Sequence, residues 1–375
     1  MTIQIQGHCD PRFDPVRAAF ENNFREHGEV GASVAITLDG EFVVDLWGGH
    51  LDEEKSALWQ EDTLVNVWSS TKTMAAMSLL LLADRGEVDL HAPAAKYWPE
   101  FSQNGKAAVE VRHFLSHTAG LSGMDEAVKG NALYDWEWMT GALARQKPWW
   151  EPGTQSGYHA LTQGHLIGEI VRRVTGQSIG NFFRQEVAEP TGADFHIGAG
   201  AELDEQIGNL IPPKSGPTPD PDSIAGRTFA NPPVDATIAR QRAWRAAEIP
   251  AANGQGNARS IVRAQTAMAN GGKAFGKTIM SEAGTKRIFE EQSRGTDLVL
   301  GMPLVFGMGY GLNSDATPVS PNKNTCFWGG YGGSSVIVDQ DARLCFSYVM
   351  NKMESELLGD QRGFGLAAAM YMSMV

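Results

Sequence analysis

Ser69 and Lys72 stand three residues apart in Trp68-Ser-Ser-Thr-Lys-Thr73, which runs into Met74-Ala-Ala-Met-Ser-Leu-Leu-Leu-Leu-Ala-Asp84. A helix apolar all round is a buried helix, so this spacing predicts a buried helix with both side chains on one face of its first turn. The serine hydroxyl then lies at the positive end of the helix dipole. Serine becomes a nucleophile only when a neighbour takes its proton, and a lysine can do that only where burial or a nearby cation holds it neutral. Ser69 is therefore a candidate nucleophile and Lys72 its candidate base, against the plain alternative of a helix cap beside a solvated lysine.

The chain carries its own control. Ser320-Pro-Asn-Lys323 has the same Ser-x-x-Lys spacing but sits among turn formers with no helix after it, and reads as a solvated turn. A third candidate is Tyr158, which follows the turn Glu151-Pro-Gly-Thr-Gln-Ser-Gly157 and precedes a helix whose apolar face is Leu166, Ile167, Ile170, Val171 and Val174, closed by Gly176. A hydroxyl there can project into a cleft, although a lone tyrosine more often packs. Four of the ten tryptophans, Trp136, Trp138, Trp149 and Trp150, lie just before it, either as a local core or as an aromatic wall for an apolar group. His113 and His117 stand four apart with no third ligand in view, which favours a structural role and no metal.

The elements that must position these groups follow from patterning. Pro11 to His27 is helical by the spacing of Phe13, Val16, Phe20 and Phe24. Gly31 to Trp47 is a hairpin about Asp39-Gly40, and Gly86 ends the Ser69 helix. Residues 87–250 show helices and long loops but few strands, with a short helix over Val109–His117. Seven prolines between residues 211 and 233 argue against regular structure there and for a surface excursion, a candidate lid. After Asn253-Gly-Gln-Gly-Asn-Ala-Arg-Ser260 a helix runs to about Asn270 and stops at Gly271-Gly272. Thr325–Ser334, Ser335–Asp339 and, after a polar turn, Leu344–Met350 read as β-like, and about Gln361 to Met372 as a final helix. The expected fold is α+β: one antiparallel sheet built from both chain ends, residues 1–86 and 255–375, flanked by helices, with an inserted mainly helical lobe over 87–254.

With 375 residues, 42% hydrophobic and 20% charged, the chain can bury a large core. A net charge of −13 disfavours nucleic acid and anionic membrane surfaces as partners. The start lacks a basic and apolar leader, no apolar run reaches spanning length, and Cys9, Cys326 and Cys345 are too scattered for a disulfide framework. The expectation is a soluble cytoplasmic protein with reduced thiols, no cofactor and a small neutral substrate; a homo-oligomer is left open.

Taken together, Ser69-x-x-Lys72, Tyr158 after Pro152-Gly-Thr, Leu115-Ser-His-Thr-Ala-Gly-Leu121 and Trp328-Gly329-Gly330 resemble the serine β-lactamase and penicillin-binding-protein superfamily. The likeness covers nearly the whole chain. More closely, the pattern is similar to family VIII carboxylesterases, the esterase branch related to class C β-lactamases. That resemblance implies a β-lactamase-like fold and a serine hydrolase that cleaves short-chain carboxylic esters through an acyl-enzyme on Ser69. Lys72 and Tyr158 become the proton-transfer pair, with the Lys72 ammonium holding the tyrosine below its usual pKa. The backbone N–H groups of Ser69 and Tyr331 become the oxyanion hole. Trp150, His159, Trp328, Gly329 and Gly330 become substrate contacts.

Two departures bear on the substrate. Tyr158 is followed by His159-Ala160 where β-lactamases have Tyr-x-Asn, and Trp328-Gly-Gly replaces Lys-Thr-Gly. Loss of a cationic anchor removes a contact of roughly 1.5–3 kcal/mol, which disfavours carboxylate-bearing penicillins against uncharged esters. Acyl transfer, amide or β-lactam hydrolysis, and a catalytically silent binding protein on the same fold are the alternatives. No Gly-x-Ser-x-Gly elbow is present, which weighs against an α/β-hydrolase.

Overall fold

The computed structural model describes residues 3–216 and 218–374; Met1, Thr2, Pro217 and Val375 lie outside the described residues. Nine strands form one antiparallel sheet: β1 (Ile5–Cys9), β2 (Gly31–Leu38), β3 (Glu41–Gly49), β4 (Ser293–Thr296), β5 (Pro303–Phe306), β6 (Gly311–Leu312), β7 (Thr325–Gly329), β8 (Ser335–Asp339) and β9 (Leu344–Met350). Their order is β1-β3-β2-β9-β8-β7-β6-β5-β4. The seam between the chain ends is β2 against β9, with Val34 opposite Tyr348 and Ile36 opposite Phe346. The β2–β3 hairpin turns through Asp39 and Gly40, whose φ values of 54° and 88° are the left-handed pair that an Asp-Gly turn supplies.

Because side chains alternate across a strand, the two faces of β2 meet different partners. Ser33 and Thr37 face the helix Ala258–Ala269: Ser33 Oγ accepts the Ala258 N–H at 3.1 Å and Thr37 bonds Thr266 at 2.8 Å. Val34 shares the other face with Tyr348, against which Gly363 of the last helix packs. That last helix, Gln361–Met372, lies beside the first, α1 (Asp14–Glu26).

The Ser69 helix proper, α2 (Thr71–Asp84), follows a 3-10 turn over Trp68–Ser70. Every residue from Thr71 to Ala83 is buried, as an Ala, Met and Leu sequence in a helix apolar on all sides requires. One side meets the helix Thr162–Thr175, whose terminal Gly176 adopts φ 72°; another meets Ala258–Ala269. α2 is thus the common wall between the sheet layer and the helices that follow it.

Three expectations need correction. The helix over Val109–His117 is only one turn, Arg112–Leu115, because His117 turns left-handed at φ 60°. The proline-rich stretch is not wholly irregular: Ile224–Ala230 is a helix, capped by Ser223, in the proline-free window between Pro221 and Pro232. It is tied down as well, with Thr228 bonded to Ser122 at 2.7 Å. The sheet also extends past the expected strands at both edges, through β1 and through β4–β6.

Candidate active site

Trp68, immediately before the nucleophile candidate, holds φ 46°, a conformation that costs a non-glycine residue about 1–3 kcal/mol and persists only when neighbours fix it. Trp244 and Tyr331 supply that fixing, with ring centroids 5.5 and 5.8 Å away. The turn presents Ser69 with 9% of its surface exposed, and the Ser69 hydroxyl caps nothing. Instead Tyr158 Oη donates to Ser69 Oγ in a short hydrogen bond, and Lys72 Nζ lies 3.3 Å from the same oxygen.

Lys72 is 1% exposed and has two further partners, the carbonyls of Ala160 at 2.7 Å and Ala251 at 2.9 Å. Burial drives its pKa well below the ordinary lysine value, favouring the neutral amine. An amine has two N–H groups and one lone pair. Two N–H groups satisfy the two carbonyls, and the lone pair is left facing the Ser69 hydroxyl.

Tyr158 differs from expectation. Burial pushes its phenol upward, and the Asp297 carboxylate adds to that; the hydrogen bond with Ser69 only partly offsets it. Lys72 Nζ lies 4.7 Å from the Tyr158 ring centre, but the same burial disfavours the ammonium that would stabilise a phenolate. The tyrosine is therefore a protonated donor, and its hydroxyl fills one acceptor position of Ser69 Oγ.

Backbone anchors on both sides hold the tyrosine. Asp297 Oδ1 accepts the N–H groups of Tyr158 at 3.0 Å, Val299 at 2.9 Å and Leu300 at 2.9 Å. His117 Nδ1 accepts the His159 N–H at 3.0 Å. His159 itself is corrected: it is fully buried, Nε2 accepts Leu121 N–H at 3.1 Å and Nδ1 donates to the Gly157 carbonyl at 2.6 Å. Burial lowers its pKa to about 3, so a neutral ring with both nitrogens spent braces the Tyr158 loop and has none left for a substrate. Trp150 packs on that brace, 5.9 Å from His159, and its ring fills the space a side chain on Gly157 would need.

The C-terminal wall is the turn after β7. Trp328, 2% exposed, packs behind Tyr158 at 5.5 Å and against Phe306 and His117. Gly329 and Gly330 serve close approach rather than contact with a ligand. A Cβ on Gly329 would lie 2.6 Å from Leu358, and one on Gly330 would lie 2.3 Å from the Val67 carbonyl and 3.2 Å from Ser69 N. The Gly330–Tyr331 backbone is thus pressed against the start of the nucleophile turn. Ser334 Oγ clasps the two segments, donating to Val67 O at 2.8 Å and lying 2.9 Å from Ser70 Oγ. Among the described residues the Tyr331 N–H is given to no carbonyl.

The control serine stands elsewhere: Ser320 Oγ donates to Asp339 at 3.1 Å, and no lysine reaches it. Ala251, Asp297 and Ser334 were not visible as site residues from the sequence, whereas His117 takes the structural role expected of it. The first acts through its carbonyl, which no residue type announces, and the others lie far along the chain from what they hold.

Known proteins resemble this chain in both sequence and fold. A family model described as Beta-lactamase matches residues 16–369. The esterase/beta-lactamase LipL of Mycobacterium tuberculosis (strain ATCC 25618 / H37Rv) is 35% identical over 376 residues, spanning 96% of this chain and 86% of LipL. The crystal structure of a family VIII carboxylesterase superposes with a TM-score of 0.94 at 43% identity, covering 99% of this chain and 100% of its own. A penicillin-binding-protein homologue from Caulobacter crescentus superposes with a TM-score of 0.92 at 36% identity, covering 99% and 100%.

Proposed function

Because the chain belongs to the beta-lactamase family, we propose that it is a serine carboxylic ester hydrolase of the family VIII kind, with Ser69 as the acylated nucleophile. The observation that carries the reading is the position of Ser69 Oγ between the buried Lys72 Nζ and the Tyr158 hydroxyl. In the acylation step Ser69 Oγ bonds to the ester carbonyl carbon and its proton goes to the Lys72 lone pair. The carbonyl oxygen becomes an oxyanion held by the N–H groups of Ser69 and Tyr331, a stabilisation worth about 10²–10³ in rate per donor. Collapse breaks the bond to the alcohol, which leaves with the Tyr158 proton, and the Lys72 ammonium passes the proton it took to the Tyr158 phenolate. Water then attacks the acyl-enzyme along the same path and frees the acid and Ser69.

The substrate reading rests on what surrounds the pair. Trp328-Gly-Gly offers no cation for a carboxylate, which favours short uncharged acyl esters, and the paired description of LipL leaves room for slow β-lactam opening. Among the described residues no helix is long and apolar enough to cross a membrane. Three free cysteines suit a reducing cytoplasm, where we place the enzyme. A p-nitrophenyl butyrate burst with one phosphonate adduct per chain, located on Ser69 by mass spectrometry, is the expected result; an adduct on Ser320, or no adduct, overturns the proposal.

A further inference from the structure

The turn that carries the Tyr331 N–H is Gly329-Gly-Tyr-Gly-Gly333, four glycines in five residues, with Gly332 and Gly333 at φ 95° and 131°. Such a segment has little intrinsic stiffness, yet an oxyanion donor works only if it is already in place. Something outside the segment must hold it.

Behind it lies a cluster of buried charges that the chemistry described so far does not use. Arg362, 1% exposed, donates through Nη1 to Glu29 at 3.0 Å and through Nη2 and Nε to Asp360 at 2.6 and 3.1 Å. Nη2 also donates to the Gly332 carbonyl at 3.1 Å. That carbonyl accepts a second bond, from Glu354 N–H at 3.0 Å. The far oxygen of Glu29 takes the Tyr348 hydroxyl, and Asp360 caps the last helix through the Arg362 N–H at 2.8 Å. Gly333 lies so close to this fork that a Cβ there would come within 2.4 Å of Asp360 Oδ2 and 3.0 Å of Arg362 Nη2.

We propose that Arg362, locked by Glu29 and Asp360, is a positioning residue that fixes the Gly332 peptide and thereby aims the Tyr331 N–H at the substrate oxyanion. The inference rests on the reading of Ser69 and Tyr331 given above. Two features separate this role from its alternatives. Arg362 is too buried to meet a substrate carboxylate. A set of ions removed from water stabilises a fold poorly compared with apolar residues of the same volume, so packing alone does not account for it. The planar guanidinium does what an apolar side chain cannot: one fork is held by carboxylates on an N-terminal loop and a helix cap, and the remaining donor reaches the glycine turn.

The test compares wild type with Arg362→Met, Arg362→Lys and Glu29→Gln, each rate expressed per competent site after phosphonate titration. For Arg362→Met we expect kcat on p-nitrophenyl butyrate to fall about a hundredfold with KM within twofold, since a misplacement of about 1 Å has that effect. Affinity for a phenylboronic acid, whose tetrahedral adduct on serine puts an oxygen in the same hole, should fall in parallel. Arg362→Lys, which keeps a donor, should recover part of both losses. If the Arg362 variants are insoluble, Glu29→Gln decides, with about a tenfold parallel loss expected. Unchanged kcat per competent site in a soluble variant, whatever its Tm, overturns the inference, as does a fall in kcat without a fall in boronate affinity. Wild-type protein that takes no phosphonate overturns the Ser69 reading and this inference with it; labelled wild type beside a fully active Arg362→Met overturns this inference alone.

Discussion

Replacing Gly330 with alanine strikes the site where it has least room to give. The added methyl carbon would sit 2.3 Å from the Val67 carbonyl, 2.3 Å from Ser334 Oγ and 3.2 Å from Ser69 N. The serine hydroxyl could rotate away, but the carbonyl cannot, because it accepts the Ser70 N–H at 3.3 Å and the Ser334 hydroxyl at 2.8 Å. Relieving the clash to ordinary van der Waals contact moves one backbone by roughly 1 Å, and displacements of that size cost about a hundredfold in rate. That is about 2.7 kcal/mol of transition-state stabilisation. The movement opens the gap between Ser69 N and Tyr331 N while leaving Lys72 and Tyr158 in place, so the loss should fall on kcat, with KM little changed and phosphonate labelling still on Ser69 but slower. Stopped-flow turnover of p-nitrophenyl butyrate, normalised to titrated sites, measures it. A Gly330→Ala enzyme with kcat within threefold of wild type would refute the argument that this glycine is fixed by close approach to the oxyanion donors.

Lys72→Ala and Tyr158→Phe should each remove nearly all activity and the double variant should be little worse, because members of one unit are non-additive; acylation within about tenfold of wild type in Tyr158→Phe would instead make the tyrosine a packing group. Burial lowers Lys72, so the working amine exists above its folded pKa and is lost as pH falls through it. Acylation should therefore show an acid limb well below the ordinary lysine value of ~10.4, and that limb should vanish in a Lys72 variant whose residual rate is measured. In the same window the unfolded chain binds a proton that the native chain refuses, so this lysine's contribution to stability becomes more favourable as pH rises, read as Tm against pH in wild type beside Lys72→Ala. Penicillin and cephalosporin turnover should be weak or absent beside ester turnover; a penicillin specificity constant equal to that of the best short ester would sink the substrate reading.

What could be read from the sequence was what the backbone makes local. Ser69 and Lys72 lie one helical turn apart, and the Ala, Met and Leu run after them declares its burial without help from the rest of the fold. The Asp39-Gly40 hairpin and the helix Gln361–Met372 were legible for the same reason. Tyr158 is 89 positions from Ser69; its place at the start of a helix made it a candidate, but its proton-transfer role came only through the family resemblance. The Ala160 and Ala251 carbonyls were hidden because a backbone oxygen has no residue type. β4, with the sequence Ser-Arg-Gly-Thr, is an edge strand whose side chains carry no apolar alternation, so its pairing with β5 left no pattern to find. The protonated state of Tyr158 depends on the depth of burial, which spacing does not reveal.

The seam between β2 and β9 sets the order of events in making the enzyme. Val34 pairs with Tyr348 and Ala32 with Met350, so the middle of the sheet joins segments synthesised at opposite ends of translation. The nucleophile helix emerges early, but β7 and the glycine turn that completes the site emerge only with about the last seventh of the chain. A nascent polypeptide of 300 residues therefore holds Ser69, Lys72 and Tyr158 without a sheet centre to set them on, and β2 meanwhile presents an unpaired edge open to wrong partners. Closing a loop of this length before any long-range contact rewards it makes for slow folding, and chaperone demand should be concentrated in that interval.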